Sequence, residues 1–108
     1  MDQLKVVEKY GSNYLLMELS GVINSYTCDE LKTKVFSMVL DTNLVLDLSM
    51  VEEIDSAGVG LIMAGFNDAE ESGHSLYMMN PSSAARKAIE DTGFMDTFKF
   101  IHSVTEVV

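Results

Sequence analysis

The chain has 108 residues, 47% hydrophobic and 22% charged, a composition typical of one globular domain, which we expect to span residues 1–108. Its 17 acidic and 7 basic residues give a formal charge of −10, which argues against nucleic acid and anionic membranes as partners because both attract Lys and Arg. The single cysteine cannot form an internal disulfide. The apolar runs are too short to span a bilayer, and the N-terminus lacks a signal-peptide pattern. We therefore expect a cytoplasmic protein.

The first third of the chain predicts a hairpin followed by a helix. Residues 4–10 and 14–20 alternate between apolar and polar side chains on either side of a Gly-Ser-Asn turn, which predicts two antiparallel strands. From residue 28 to residue 39 the apolar side chains recur at helical spacing. Thr27-x-x-Glu30 has the sequence of a capping box and predicts the start of that helix.

The centre of the chain predicts a strand, a loop, a helix and another strand. Residues 44–48 form a short apolar run typical of an interior strand, and a six-residue acidic loop is expected after it. Residues 56–72 are rich in helix formers, with Ser56 at the expected N-cap position and Gly73 just past the end. Residues 75–80 predict the next strand.

The last part of the chain predicts a helix capped by Ser82 or Ser83 and ending at Gly93, then a strand over residues 98–102. The element order is therefore β-β-α-β-α-β-α-β. This order predicts an α/β fold with a mostly parallel sheet of four to five strands and an antiparallel N-terminal strand. Right-handed crossovers between strands in unreversed order would place the helices mainly on one face.

The residue types that carry catalysis do not come together in the sequence. His74 and His102 lie far apart, without the clustered spacing of metal ligands. The glycines of residues 58–65 miss the dinucleotide-binding fingerprint and lack the lysine of a P-loop. Ser56 is not in a nucleophile elbow and has no nearby histidine to activate its hydroxyl. We therefore expect no enzyme activity, no metal and no cofactor.

One central segment carries a specific motif. A strand ends in Leu-Asp-Leu-Ser (46–49), and after a short loop comes Ile-Asp-Ser-Ala-Gly-Val-Gly-Leu (54–61). This segment closely resembles the signature of the STAS domain, specifically that of the bacterial anti-sigma factor antagonists. Residues 17–21, Met-Glu-Leu-Ser-Gly, resemble the second strand of the family. Later family features follow in the same order at Gly73, Leu76 and Thr92-Gly93-Phe94.

The resemblance implies a regulatory protein in a partner-switching pathway. Members of this family bind an anti-sigma factor that is also a serine kinase, and this binding frees the sigma factor. Phosphorylation of the serine in the Asp-Ser motif ends the binding, and a serine phosphatase restores it. Ser56 matches that serine and is the implied phosphoacceptor. The implied partner-binding residues are Asn24, Asp47, Ser49, Asp55, Ser56, Ala57, Gly58 and Gly60.

One position departs from the family pattern. After Gly21 the family usually carries an acidic residue, whereas here Val22-Ile23-Asn24 follows. Asn24 can hydrogen-bond but has no charge, so any role of that acid in phosphorylation would not carry over. An alternative function is a STAS interaction module that is never phosphorylated, within a larger sensory or transport assembly. A third, a small-ligand or nucleotide-binding module, is disfavoured by the missing phosphate-binding loop.

Overall fold

The computed structural model describes residues 3–107, which form a five-stranded sheet and three α-helices. The ends of the domain expected over residues 1–108, namely Met1, Asp2 and Val108, lie outside the described residues. In chain order the elements are β1 (Leu4–Tyr10), β2 (Tyr14–Ile23), α1 (Cys28–Met38), β3 (Asn43–Ile54), α2 (Ser56–Glu71), β4 (Leu76–Met79), α3 (Ser83–Asp91), β5 (Lys99–Ile101) and a 3₁₀ turn at Val104–Glu106.

The strands lie in the sheet in the same order as in the chain, β1-β2-β3-β4-β5. β1 pairs with β2 in antiparallel fashion, and the pairs from β2 to β5 are parallel. Because the strand order never reverses, right-handed crossovers bring α1, α2 and α3 onto one face of the sheet. The structure therefore confirms the predicted α/β class, the antiparallel N-terminal strand and the helices on one face.

The two faces of the sheet are covered differently. The face under the helices carries the main core, whose fully buried side chains include Leu15, Met17, Leu31, Val35, Leu44, Leu46, Ile62, Leu76, Met78 and Ile89. The other face carries a smaller cluster formed by Leu16, Val45, Tyr77, Met79 and Ile101. Val104 and Val107 of the C-terminal turn pack on this second cluster. This contact removes apolar side chains from water, and the periodicity of the sequence does not predict it.

The third strand is longer than its apolar run at residues 44–48 predicts, because β3 continues to Ile54. The expected acidic loop after this run is therefore wrong. The added part of β3 pairs with an equally extended β2 across two register shifts. Gly21 lies at these shifts with φ +103°, and a Cβ there would collide with the carbonyl oxygen of Gln3, so this distorted pairing favours glycine. β4 ends opposite Asp47, which leaves the later part of β3 exposed enough for polar side chains.

Ser82, one of the two candidate caps, begins α3. Its Oγ accepts a hydrogen bond from the backbone N–H of Ala85 at 3.1 Å and donates one to the carbonyl oxygen of Val51 at 2.7 Å. The backbone N–H of Ser82 also donates to the carbonyl oxygen of Leu48 at 3.1 Å. These bonds fix the start of α3 against β3, and Ser83 becomes the exposed first residue of the helix.

Candidate functional site

The candidate site lies where β2 and β3 end and α2 begins. Ile23 pairs with Ile54 at the ends of the two parallel strands, and the backbone N–H of Asp55 donates to the carbonyl oxygen of Ile23 at 3.1 Å. Asn24 and Ser56 therefore follow neighbouring strand ends. In open α/β sheets the carboxyl ends of the strands are the usual place for a functional site.

Asp55 caps α2. Its backbone is extended, and its Oδ1 accepts a hydrogen bond from the backbone N–H of Gly58 at 3.0 Å. Its carbonyl oxygen accepts the first helical bond, from the N–H of Val59. The prediction that Ser56 is the N-cap is therefore wrong, because the carboxylate one residue earlier performs that role. Ser56 is the first helical residue and is exposed.

The surroundings of Ser56 suit a phosphate in one respect and make it costly in another. The N–H groups in the first turn of a helix have no acceptor within the helix, and the helix dipole is positive there, so an anion is tolerated. Ser56 also borders a shallow cleft of about 310 Å³ between α2 and α3, lined by Ile54, Asp55, Ser56, Val59, Ala88, Asp91 and Thr92. A phosphate on Ser56 would add negative charge to a cleft that Asp55 and Asp91 already line.

The two glycines of the motif have different surroundings. Gly58 is buried, and a Cβ there would lie 2.6 Å from Cγ1 of Ile54 and 2.8 Å from Cγ2 of Ile23. The lack of a side chain at Gly58 therefore lets α2 pack closely against the ends of β2 and β3, which is a structural role within the chain. Gly60 is exposed, and a Cβ there would meet open space. Ala57 is exposed too, so Ser56, Ala57 and Gly60 belong to the accessible surface of the first turns of α2.

Asn24 organises the turn that leads into α1. Its Oδ1 accepts hydrogen bonds from the backbone N–H groups of Tyr26 at 2.8 Å and Thr27 at 3.1 Å. The Oγ1 of Thr27 in return accepts from the N–H of Asn24 at 2.9 Å and donates to the carbonyl oxygen of Val22 at 2.8 Å. The predicted capping box at Thr27-x-x-Glu30 is wrong, because the reciprocal bonds lie three residues earlier and Thr27 makes no side-chain cap for α1.

Asp47 and Ser49 lie apart from this cluster. The Oδ1 of Asp47 accepts a hydrogen bond from the backbone N–H of Ser49 at 3.0 Å. Both residues line a cavity of about 290 Å³ with Lys5, Val7 and Glu18, on the sheet face away from the helices. The structure therefore brings Asn24 and Asp55 together in one groove lining, places Ser56, Ala57 and Gly60 on the exposed start of α2, and separates Asp47 and Ser49 from both.

Helix α3 contributes residues to this region that the motif does not indicate. Ala84, Lys87, Ala88 and Asp91 face the ends of β2 and β3 across a groove of about 470 Å³. Lys87 and Asp91 form an ion pair along the helix at 3.7 Å, with both side chains largely exposed. The sequence shows the spacing of these residues, but which element they face depends on how α3 packs, so no local signal could have found them.

The part of the chain that the structure describes has neither a metal-binding cluster nor a membrane-spanning helix. Among residues 3–107 no three His, Cys, Asp or Glu side chains are grouped as a metal ion requires. His74 instead places Nδ1 2.8 Å from the carbonyl oxygen of Val39, and Cys28 is buried. In the same described range, no helix is long and apolar enough to cross a membrane.

Comparison with known proteins identifies the family, since the STAS domain family matches the chain over residues 4–107. The chain belongs to the STAS domain family. The STAS domain expected from the motif at residues 46–61 is thereby confirmed, and the match spans nearly all of the expected 1–108 range.

Solved structures share the fold of this STAS domain. An anti-sigma factor antagonist from Mycobacterium paratuberculosis has a TM-score of 0.82 at 23% identity, over 95% of this chain and 89% of the other. A putative anti-sigma factor antagonist from Thermotoga maritima has 0.79 at 20% identity, over 94% and 89%. The anti-sigma factor antagonist SpoIIAA in its unphosphorylated form has 0.78 at 16% identity, over 94% and 90%. At these identities the likeness shows the STAS fold.

Proposed function

We propose that this protein is a cytoplasmic, non-enzymatic anti-sigma factor antagonist in a partner-switching pathway. Its unphosphorylated form binds an anti-sigma factor that is also a serine kinase, and this binding releases the sigma factor. Phosphorylation of Ser56 ends the binding, and a serine phosphatase restores it. Both an unphosphorylated and a phosphorylated SpoIIAA are among the solved structures with this fold, which supports a phosphorylation switch.

The observation that carries this proposal is the position of Ser56. It is exposed at the first position of α2, directly after the capping Asp55, so a kinase can reach its hydroxyl. The Oγ of Ser56 attacks the γ-phosphorus of ATP, the bond to the bridging oxygen breaks, ADP leaves, and the hydroxyl proton passes to solvent. Because Asp55 holds the cap, the new phosphate replaces no hydrogen bond that the helix needs.

Release of the partner follows from charge and bulk at the contact. A phosphoryl group adds about −1.5 to −2 charge at neutral pH, in a cleft that Asp55 and Asp91 already line. A kinase that phosphorylates Ser56 holds its nucleotide close to this serine, so the phosphoserine also faces the anionic phosphates of that nucleotide. A coupling of about 3 kcal/mol between phosphate and partner changes the affinity about a hundredfold. No change of fold is required.

We propose different roles for the motif residues. The partner contacts Asn24 and Asp55 in the groove lining and Ser56, Ala57 and Gly60 on the exposed start of α2. Gly58 contributes through the packing of α2 on Ile54. Partner contacts of Asp47 and Ser49 stay a prediction, and they require a partner that also reaches the other sheet face.

Phosphopeptide mapping tests the proposed acceptor. The probe is a serine kinase of the anti-sigma factor class from the same organism, incubated with the purified chain and ATP. We expect one phosphate, on Ser56, and none on the Ser56→Ala variant. Ser83→Ala is the matched control, because Ser83 is also an exposed first helical residue after a capping side chain; it should be phosphorylated as fast as the parent.

The same experiment separates the alternatives. A phosphate on Ser49, Ser82 or Ser83 would contradict the assignment. Tight binding of a partner with no phosphate transferred to the chain even when ATP is supplied would favour the alternative function, an interaction module in a larger assembly. ATP or ester hydrolysis by the chain alone that disappears in the Ser56→Ala variant would contradict the non-enzymatic proposal.

A further inference from the structure

An open groove adjoins Ser56 on the side of α3. It has a volume of about 470 Å³ and lies between the ends of β2 and β3 and the exposed side of α3. Its apolar lining residues are Val22, Ile23, Ile54, Ala84 and Ala88. Its polar lining residues are Asn24, Glu53, Asp55, Lys87 and Asp91. The groove thus combines an apolar interior with charged residues around it.

The small side chains of α3 keep the groove open. Ala84 and Ala88 are one turn apart and therefore share one side of the helix, while Ala85 and Ile89 are the buried residues that pack on the core. Both groove alanines are half-buried and end at Cβ. A longer aliphatic side chain at either position would fill the space that the structure leaves empty.

The charges around the groove favour a basic occupant. Three carboxylates, those of Glu53, Asp55 and Asp91, face the space, and all three residues are exposed. The one lysine of the lining, Lys87, is paired with Asp91 at 3.7 Å. Two copies of a chain with formal charge −10 would repel each other, which disfavours self-association as well as anionic ligands.

We propose that this groove receives an aliphatic side chain of the anti-sigma partner, flanked by an Arg or Lys that pairs with Glu53 or Asp55. This inference rests on the proposed function, since it names a second contact on the same partner. The groove and the cleft at Ser56 share Ile54, Asp55, Ala88 and Asp91 in their linings. A partner anchored in the groove is therefore held beside Ser56, which orients the hydroxyl for phosphorylation.

Four variants separate groove contacts from general charge attraction. Ala84→Leu fills the groove, and Glu53→Lys reverses a charge in its lining; neither residue lines the cleft at Ser56. Glu52→Lys is the matched charge control, because Glu52 lines a different cavity with Gln3 and Met50. Ser83→Leu is the matched control for bulk, since Ser83 is a small, uncharged and exposed α3 residue outside the groove. Circular dichroism melting checks that all four fold.

The probe that needs no kinase is a short amphipathic helical peptide with leucine on one face and arginine on the other. The peptide with alanine in place of leucine is its control. We expect the leucine peptide to shift the backbone amide NMR signals of Ile23, Ala84 and Ala88. Ala84→Leu and Glu53→Lys should weaken binding about tenfold or more, and the two control variants should leave it within about twofold.

Several outcomes would overturn the groove proposal. Binding would be explained by charge attraction alone if the alanine peptide bound as tightly as the leucine peptide. The same would follow if Glu52→Lys and Glu53→Lys weakened binding equally, or if the NMR shifts mapped outside the groove. A concentration-dependent dimer that Ala84→Leu abolishes would assign the groove to a second copy, and saturable binding of a small metabolite there would assign it to a ligand.

The kinase gives the second readout and keeps the two proposals distinguishable. Ala84→Leu and Glu53→Lys should slow Ser56 phosphorylation, with a raised KM for the chain and little change in kcat. If the kinase does not phosphorylate the parent chain but the peptide binds with the expected effects of the variants, the proposed function is contradicted and the groove proposal is supported. If the kinase phosphorylates both variants as it does the parent, the groove proposal fails and the proposed function stands.

Discussion

At the scale of single residues, Asp55 and Ser56 divide two tasks that the sequence could assign to either. Both are good capping residues, and only the observed bond from the N–H of Gly58 to Asp55 decides between them. We therefore expect Asp55→Ala to lower the free energy of unfolding by about 0.5–2 kcal/mol. Ser56→Ala should change it by less than about 0.5 kcal/mol. Urea denaturation measures both changes. Equal losses of unfolding free energy in the two variants would mean that Ser56 contributes to the cap as much as Asp55 does.

The switch itself is tested by charge at the same position. Ser56→Ala should keep the affinity for the anti-sigma partner, whereas Ser56→Asp should weaken it. The weakening should be smaller than that caused by phosphorylation, because aspartate carries less charge than phosphoserine. Ser83→Asp introduces the same charge at the first position of α3 and should bind like the parent. Calorimetric titration decides: if the Ser56 variants and the parent bind equally, Ser56 is not the switch.

Gly58 and Gly60 form a matched pair on one helix. A methyl group at Gly58 would crowd Ile54 and Ile23, so Gly58→Ala should destabilise the fold by about 1–3 kcal/mol. A methyl group at Gly60 meets open space, so Gly60→Ala should stabilise it by about 0.5–1 kcal/mol, the ordinary gain of alanine over glycine within a helix. Thermal unfolding of the two variants checks the opposite signs, and shifts of one sign would contradict this account of the packing.

At the scale of elements, local patterns predicted what local physics controls. The hairpin over β1 and β2, the order of helices and strands, and the end of α2 before Gly73 all follow from periodicity and turn residues. The sequence does not predict the second half of β3, because its alternation of apolar and polar residues is broken where Glu52 and Glu53 are adjacent. The register shifts near Gly21 explain that break, and they depend on two strands that are distant in sequence.

The turn before α1 shows the same limit at a helix start. Thr27 has the sequence of a cap, but its hydroxyl is drawn to the carbonyl oxygen of Val22 on β2. Asn24→Asp keeps an oxygen for the N–H groups of Tyr26 and Thr27, so stability should be retained, whereas Asn24→Ala should lose about 1 kcal/mol. Urea denaturation tests this.

The Asn24→Asp variant also restores the charge that the family usually carries near this position. Faster phosphorylation by the kinase than in the parent would mean that the missing acid matters. An unchanged rate would mean that the cap alone is the role of this position.

At the scale of the whole molecule, the site combines parts that the sequence could and could not predict. The motif at residues 46–61 correctly predicts that Asp55 and Ser56 lie at the start of a helix, but the loop expected before them is wrong because β3 continues to Ile54. It did not separate Asp47 from them, although strand alternation directs Asp47 to the face away from the helices. The groove against α3 was beyond prediction, because the packing of α3 on the ends of β2 and β3 is a tertiary property.

The C-terminal turn that covers the sheet face away from the helices contains Glu106, and this residue should make the stability of the fold depend on pH. Its Oε2 accepts hydrogen bonds from the backbone N–H groups of His102 at 2.6 Å and Ser103 at 2.9 Å, which lower the pKa of this carboxyl below its usual value. These bonds hold the turn that packs Val104 and Val107 on the sheet. The pKa of Glu106 is therefore lower in the folded state than in the unfolded chain. Its ionised carboxylate stabilises the fold fully when the pH is above the pKa of the unfolded state. This stabilisation is lost as the pH falls through the pKa of the folded state.

Glu106→Gln keeps an acceptor oxygen but removes the charge, so it isolates that contribution. The variant should be less stable than the parent at neutral pH, and the difference should shrink as the pH falls from about 6 to about 3, the range in which an exposed carboxyl titrates. Glu90→Gln, an exposed carboxyl on α3, serves as the control and should run close to the parent throughout. Urea denaturation of the three chains at a series of pH values gives the comparison. A constant difference between parent and Glu106→Gln would mean that the hydrogen bonds of this side chain do not depend on its charge, and that Val104 and Val107 are held by apolar packing alone.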